Sequence, residues 1–548
     1  MNLTQEQLNA LKIIGRFIKS NDKIFILKGH AGTGKSTIIT QLLQNVFFQK
    51  QKIALCATTN KAVSVLETLF PKSRNVTFMT IHKLLRIKRI IDLEGKIQYV
   101  SPIDNSDWTP SSNNKSIYDY DIIIVDEASM VSRSLTDQIL SVSSKIKGKI
   151  IFVGDIAQLP PINEEYSKIF KLNLPSCKLK TVMRSNNNIT LLSQEVRKLI
   201  YNRQYKLQIR KYEDNGVSLY KNLSIWLNSY LDDYRNNKKP IILVYTNKQR
   251  DCLNQQIRTS LFNNVTDKYV PNELIVFNQY YKFPGSDISY YNSQQAIITN
   301  ITDDYITINS LNFNNILNLK MSLTPDSNSI ESLVPKVDVP NVMCPICLEE
   351  EVDFVRETPC HHYFCTGCII MWLEKNKCCP YCRMEIVKDN NYIRIKNNAS
   401  LTSRINTLMD KTINKTYKVW NITLNHSHEQ IMVIHPDSEE KYQTDLKLIR
   451  DTLTDIKKYI DKNSLNKFTT TLLNRMWEFY YFNYLDQFAD ISYGYCITTH
   501  KSQGSTFNIV YVDLPNIIDK NLDNKQKYQC LYTAVTRPSH QLNLLLSK

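Results

Sequence analysis

The chain has 548 residues, of which 42% are hydrophobic, so it has room for roughly three or four domains and enough apolar mass to bury several cores. This excludes a disordered protein, and the absence of any run of about 18 apolar residues excludes a helical membrane span. With 68 Lys and Arg against 52 Asp and Glu, the formal charge is +16, a surplus that suits a polyanion such as nucleic acid and equally a soluble basic protein with no such partner.

Met1 to Leu11 is polar and amphipathic, with no secretory or transit pattern, so the expected location is inside the cell, nucleus or cytoplasm left open. There are 13 cysteines, an odd number, and eight of them crowd between Cys344 and Cys382. In a reducing compartment such crowding points to metal ligation and not to a disulfide framework. Asn, Ile, Lys and Tyr are abundant, which looks like coding bias.

From Lys23 to Leu27 an apolar β-rich run leads into Gly29-His30-Ala31-Gly32-Thr33-Gly34-Lys35-Ser36, and a helical pattern follows to about Phe48. The segment fits G-x-x-x-x-G-K-[ST]: its glycines let backbone N–H groups wrap phosphates at a helix N-terminus. Lys35 is expected to reach the β- and γ-phosphates of ATP, and Ser36, followed by Thr37, to face Mg²⁺. Further strand-like runs at Ile53–Ala57, Ile122–Val125 and Ile150–Val153 alternate with helical segments, predicting a parallel sheet with helices on both faces. The third of these four runs ends in Asp126-Glu127, where Asp126 can hold Mg²⁺ and Glu127 can orient or deprotonate the attacking water. Runs at Ile241–Tyr245, Ile509–Val512 and Leu542–Leu546 predict a second α/β lobe with a large insertion. Within that insertion Asn272–Leu311 and Tyr417–Ile434 alternate like strands of a small barrel, on either side of the Cys-rich segment.

These residues, in this order, resemble superfamily 1B helicases, the branch with RecD-like and Dda-like enzymes. Leu3-Thr4-Gln5-Glu6-Gln7 resembles the adenine-reading Q motif, with Gln7 pairing with the base. Ala57-Thr58-Thr59-Asn60-Lys61-Ala62 resembles motif Ia and Thr80-Ile81-His82-Lys83-Leu84-Leu85 motif Ib, which implies strand contacts by Thr58, Asn60, Lys61, Thr80 and His82. Asp126-Glu127-Ala128-Ser129 matches motif II. Gly154-Asp155-Ile156-Ala157-Gln158-Leu159-Pro160-Pro161 resembles motif III, implying that Gln158 senses the γ-phosphate. Thr181-Val182-Met183-Arg184 resembles motif IV, with Arg184 as an arginine finger; Met183 stands where the family often has an adenine-stacking aromatic, so loose base selectivity is expected. The stretch from Thr498 to Phe507 resembles motif V, which implies strand contacts by Thr499 and His500 and places Gly504 at the nucleotide. Leu531-Tyr532-Thr533-Ala534-Val535-Thr536-Arg537 resembles motif VI, with Arg537 as a second finger. The two alternating stretches of the insertion resemble the family's SH3-like subdomain, and Arg86–Val100 reads as a hairpin turning at Glu94-Gly95, where the family places its strand-separating pin. A polar surface hairpin would have the same pattern. Phe78, Tyr118 and Trp420 could stack on bases, though a lone aromatic beside a strand is more often core.

The Cys-rich segment reads Cys344-x₂-Cys347-x₁₂-Cys360-x-His362-x₂-Cys365-x₂-Cys368-x₁₀-Cys379-x₂-Cys382. Three Cys-x₂-Cys pairs, with Cys360 and His362, supply eight ligands, enough for two closed, structural zinc sites. The spacing resembles a RING finger, whose ligand pairs interleave. That implies Cys344, Cys347, Cys365 and Cys368 on one zinc and Cys360, His362, Cys379 and Cys382 on the other, with His361 and Cys378 as bystanders. The resemblance also implies a groove for a ubiquitin-conjugating enzyme at Ile346, Trp372 and Pro380, with Arg383 beside it.

The expected architecture is α/β: two RecA-like parallel-sheet P-loop lobes, with an SH3-like β subdomain and a RING zinc finger inserted in the second. The expected boundaries are lobe 1 over 1–190, with a hairpin subdomain about 86–117, and lobe 2 over 191–265 and 487–548. The SH3-like halves fall at 266–335 and 395–486, the second with a helical extension, and the RING at 340–388. The expected activity is ATP- and Mg²⁺-dependent movement, 5′ to 3′, on single-stranded DNA by a monomeric motor, with two zinc ions and ubiquitin transfer in the RING. Two alternatives stay open: an RNA helicase, and a RING ligase or docking protein using the motor as a scaffold.

Overall fold

The computed structural model describes residues 3–70, 73–101, 115–182, 187–202, 207–263, 266–283, 288–308, 344–347, 354–386, 394–397, 414–425, 430–463, 467–518 and 524–547. Met183 and Arg184 lie outside the described residues, as do 309–311 at the end of the first alternating stretch.

The first lobe is built on six parallel strands in the order Val76–Thr80, Ile53–Ala57, Ile122–Val125, Lys149–Gly154, Ile24–Gly29 and Ser176–Leu179. Continuous apolar runs suit such a sheet, because alternate side chains enter different cores on its two faces. Ile24, Ile26, Ile123 and Val125 fill the core on one face. Phe25, Leu27, Ile122 and Ile124 fill the other. The helix after the P-loop stops at Gln44, earlier than the periodicity predicts. Asn45 takes an extended backbone there and caps a further short helix, Val46–Gln49, by accepting from the Phe47 N–H.

The second lobe carries five parallel strands, ordered Cys496–Thr498, Ile241–Val244, Phe507–Asp513, Pro538–Leu545 and Val217–Tyr220. Ile241 and Leu243 point to one core and Ile242 and Val244 to the other. Long separations in sequence are thus closed by pairing: Ile242 lies in register with Cys496 and Tyr511.

The insertion forms an antiparallel five-stranded sheet. Gln295–Ile308 and Lys415–Leu424, drawn from either side of the Cys-rich segment, make its longest ladder, flanked by Leu274–Phe277 and Gln430–Ile434. The edge strand Ile491–Tyr493 was not legible in the sequence, since its three residues carry no alternation of their own. Trp420 is buried in this core beside Tyr269 and His435, and Phe78 and Tyr118 pack against the lobe 1 cores, so these three aromatics serve packing. Two helices, Pro436–Asn463 and Lys467–Tyr480, follow, the second running into a π-type turn at Tyr481–Leu485.

That turn meets the lobe 1 hairpin, whose strands are Lys88–Ile91 and Ile97–Val100. Gly95 sits at φ +72°, and any side chain there would strike the Trp477 ring, its Cβ falling 2.6 Å from the ring atoms. The Trp477 indole N–H donates to Leu93 O at 3.2 Å, and the Tyr481 hydroxyl donates to Gly95 O at 2.8 Å. Arg89 pairs with Asp486 at 2.7 Å while its guanidinium lies over the Tyr481 ring. The hairpin is therefore docked from one lobe onto the insertion of the other, which limits its freedom to swing. No helix among the described residues is long and apolar enough to cross a membrane.

Candidate nucleotide cleft and zinc finger

The strand Ile24–Gly29 delivers the P-loop to the sheet's C-terminal edge, and the helix beginning at Lys35 carries it away. Gly34 is the turn's fixed point: at φ +79°, its Cβ would fall 2.3 Å from Gln7 Nε2, so only glycine fits. Gln7 is buried and donates to Thr33 O at 3.2 Å, while its side-chain oxygen completes a capping box with Thr4. The Q-motif glutamine thus also braces the P-loop. Lys35 folds back to donate to the carbonyls of Gly29 and His30, both at 3.0 Å.

A cavity of about 540 Å³ opens above this loop, a size suited to a nucleotide. It is lined from lobe 1 by Gln7, Gly32, Gly34, Lys35, Ser36, Thr37, Asp126, Glu127 and Gln158, and from lobe 2 by Gly504 and Arg537. The expected nucleotide residues therefore converge, with Arg184 outside the described residues. Gly29 and Thr33 stay beneath the loop: a Cβ at Gly29 would fall 2.8 Å from Thr33 Oγ1, and Thr33 is buried.

Asp126 stands at the end of its strand beside Glu127. Burial, then the neighbouring Glu127 charge, pushes its pKa up to about 6. A half-buried carboxylate next to another, with the Lys35 charge nearby, is the donor set a divalent cation relieves, so Asp126 and Ser36 fit Mg²⁺. Glu127 adopts a left-handed backbone, φ +50°, unusual for a side chain with a Cβ. Such strain, of about 1–3 kcal/mol, persists where neighbouring structure enforces it and gathers at working sites. With its amide oriented to satisfy both neighbours, Gln158 donates to Glu127 Oε2 at 3.0 Å and accepts from Arg537 Nη2 at 3.2 Å. Arg537 is buried, its other N–H groups donating to Thr533 O, Ser505 O and Thr536 Oγ1. One glutamine thus bridges the acid of one lobe and the guanidinium of the other.

The expected strand contacts behave less uniformly. Asn60 is exposed and Thr58, Lys61, Thr80, His82 and His500 are half-buried. Lys61 donates to Ser293 O at 3.0 Å, and burial, then the nearby Lys501 charge, lowers its pKa to about 8. Burial also lowers the His82 and His500 pKa values. Thr80 caps a short helix through the Lys83 N–H. Thr499 is fully buried and its hydroxyl donates to Val244 O at 3.1 Å, so its side chain holds the turn and faces no surface.

In the Cys-rich segment, Cys360, His362, Cys379 and Cys382 bring one ligand atom each within 4.8 Å of one another, and Cys344, Cys347 and Cys368 do the same. The interleaved pairs implied by the RING resemblance are the ones that meet; the Cys365 side chain lies outside the described residues. Soft sulfur and imidazole donors at this spacing fit tetrahedral zinc. Around them the sheet Tyr363–Cys365, Phe354–Glu357 and Arg394–Asn397 takes its third strand from beyond residue 388, and a helix spans Thr366–Lys375. Ile346 and Arg383 are exposed and Trp372 and Pro380 half-buried, the Trp372 indole N–H donating to Cys378 O at 2.8 Å. Exposed Met371, Tyr381 and Met384 extend this apolar surface, unremarked in the sequence because no ligand spacing marks them.

Fold and cleft together define a two-lobed P-loop nucleotide-binding protein with an inserted zinc finger. Residues 2–217 match the AAA domain model, 493–545 the UvrD-like helicase C-terminal domain and 342–383 the Ring finger domain. Uncharacterized protein R530 of Acanthamoeba polyphaga mimivirus is 26% identical over 99% of both chains. ATP-dependent DNA helicase dda of Enterobacteria phage T4 is 28% identical, over 53% of this chain and 64% of its own length. E3 ubiquitin-protein ligase RNF181 of Danio rerio is 55% identical over 9% of this chain and 33% of its own length. A crystal structure of Bacteroides Pif1 bound to ssDNA overlaps 99% of this chain and 92% of its own, at 13% identity and a TM-score of 0.43. These matches put an AAA domain and a UvrD-like helicase C-terminal domain in one chain, with a Ring finger domain between them in sequence.

Proposed function

We propose that this chain is an ATP-dependent DNA helicase that moves 5′ to 3′ along single-stranded DNA. The observation that carries it is the shared cavity, in which Lys35, Asp126 and Glu127 of one lobe face Arg537 of the other. A finger on the far lobe stabilises transition-state charge only when the cleft closes, so hydrolysis and closure become one event. Lys35 and the P-loop N–H groups bind the phosphates. Ser36 and Asp126 would hold Mg²⁺, which supplies neutralisation of charge between the β- and γ-phosphates. Glu127 takes the proton of the attacking water, and Gln158 reports the state of the γ-phosphate between Glu127 and Arg537. Lys61, Asn60, His82 and His500 would grip the strand, Gln7 would read adenine, and Arg184 would add a second finger. The inserted sheet is the SH3-like subdomain of this reading, and the motor acts as a monomer.

Replacing Lys35 with Ala is expected to lower strand-stimulated ATP hydrolysis about a hundredfold or more, as loss of a preorganised phosphate contact does. Binding of a fluorescent oligonucleotide should persist. Hydrolysis that survives this change would sink the site assignment. Running the wild type with DNA and RNA strands of equal length separates a DNA from an RNA motor, and a duplex tailed at either end reads polarity.

A second reading concerns the finger: exposed Ile346 and Arg383 beside Trp372 and Pro380 match the surface that, by resemblance, receives a charged ubiquitin-conjugating enzyme. With two zinc ions in place, the chain should discharge ubiquitin from a subset of such enzymes. Ile346→Ala and Arg383→Ala should each slow discharge about tenfold, as loss of an interface hot spot does. Zinc-loaded protein that discharges none of a panel would leave a docking module.

A further inference from the structure

The carboxylate of Asp155, just past the strand Lys149–Gly154, is buried and unusually well supplied with donors. It accepts from the Arg197 guanidinium at 2.6 Å, the Tyr532 hydroxyl at 2.7 Å, the Ala31 N–H at 3.0 Å and the Ala157 N–H at 3.1 Å. The Tyr532 oxygen also accepts from the Ala31 N–H and from Arg197, each at 3.1 Å, and the Arg197 guanidinium lies over the Tyr532 ring. Ala31 and Asp155 belong to the first lobe. Tyr532 comes from the second-lobe helix Asn524–Val535, and Arg197 from the helix Asn188–Tyr201 packed along it. A buried ion pair thus spans the two lobes and ends on a backbone N–H inside the P-loop.

Burial works against the charged form of Asp155, yet the charges of Arg197 and Lys35 and the Tyr532 hydroxyl hold its pKa below the ordinary value. A salt bridge this deep is weak evidence for stability alone, since hydrophobic replacements are often as stable. Its position is more telling. Arg537 follows the helix that carries Tyr532, so that helix cannot reposition the finger without pulling on Ala31 or breaking the contact.

We propose that Tyr532 and Arg197 are positioning residues: with Asp155 they clasp the P-loop to the second lobe and pass strand-driven closure on to the phosphate-binding backbone. Coupling of this kind between two sites typically changes the response 5–150-fold. The inference rests on the ATPase reading for its consequence, but not for the clasp itself.

The experiment compares wild type with Tyr532→Phe, which keeps the ring and removes only the hydroxyl, and with Arg197→Lys, which keeps the charge. Hydrogen exchange of the P-loop peptide is read in nucleotide-free protein, and ATP turnover is read with and without oligo-dT. In Tyr532→Phe the Ala31 amide should exchange about tenfold faster, and the ratio of strand-stimulated to strand-free turnover should fall about tenfold. Arg197→Lys should fall between it and wild type. A merely structural role would lower both turnover rates together and leave the ratio unchanged, which would overturn the proposal. Unaltered exchange at Ala31 would overturn the clasp whatever the turnover does. Wild type that hydrolyses no ATP under either condition, with exchange still faster in the variant, would remove the ATPase reading and the coupling role while leaving the clasp.

Discussion

Glu127→Gln is expected to lower ATP turnover about a thousandfold while leaving ATP binding nearly intact, because it removes a proton acceptor and little else. The amide has the size of the carboxylate and can still meet Gln158, which lies 3.0 Å from Glu127 Oε2. The left-handed backbone at this position, φ +50°, is tolerated as well by Gln as by Glu, so the strain is not relieved. Turnover should therefore fall with KM almost unchanged, the pattern of an interaction made only in the transition state. Single-turnover hydrolysis beside equilibrium binding of a fluorescent ATP analogue measures both. A variant retaining a tenth or more of wild-type turnover, where a lost general base costs about 10²–10⁴-fold, would remove Glu127 from the base's role. Arg537 or Gln158 would then have to orient the water without a proton acceptor at Glu127.

The second large effect is confined to the finger. Chelating zinc, or replacing Cys379 with Ser, is expected to unfold residues 344–386 while the motor keeps its structure and its ATP turnover. The finger's core is small: among its described residues the buried apolar side chains are Phe364, Ile369 and Ile386, beside the thiols of Cys344 and Cys379. Three such side chains contribute on the order of 6 kcal/mol, whereas one structural zinc contributes about 10–16 kcal/mol. The metal decides the fold. The motor's cores are separate from this cluster, and the insertion leaves and returns through neighbouring strands, Gln295–Ile308 and Lys415–Leu424, that pair with each other. Protease cutting mapped along the chain before and after chelation, with turnover measured on the same samples, tests this. Protection of 344–386 without zinc, or loss of turnover in step with loss of zinc, would contradict it.

The docked hairpin bears on how the two lobes work together. Trp477 and Tyr481 of the insertion hold the Gly95 turn of the first lobe, and the clasp at Asp155 joins the lobes at the P-loop. The lobes are thus tied at two separated points, one beside the nucleotide and one at the expected strand-separating element. Motion driven at one has a physical route to the other.

What the sequence by itself determined is whatever depends on short-range chemistry. Gly29 to Ser36 between a strand and a helix, four apolar residues ahead of Asp126-Glu127, and eight ligands at RING spacing each state their own geometry, because backbone turns and metal coordination are local constraints. The alternation of continuous apolar runs with helical segments likewise determined that the first large sheet would be covered on two faces. Only the tertiary structure decided which distant residues meet. Arg197 belongs to no spacing pattern, and nothing within a few residues of it says that its guanidinium will find Asp155 and Tyr532. Thr499 sits in a motif that implies a strand contact, yet packing placed it inside, where Val244 O takes its hydroxyl. Ile491–Tyr493 became a strand only because Leu274–Phe277 presented an open edge to it. In each case the deciding energy is burial and pairing between segments far apart in the chain, which local propensity cannot encode.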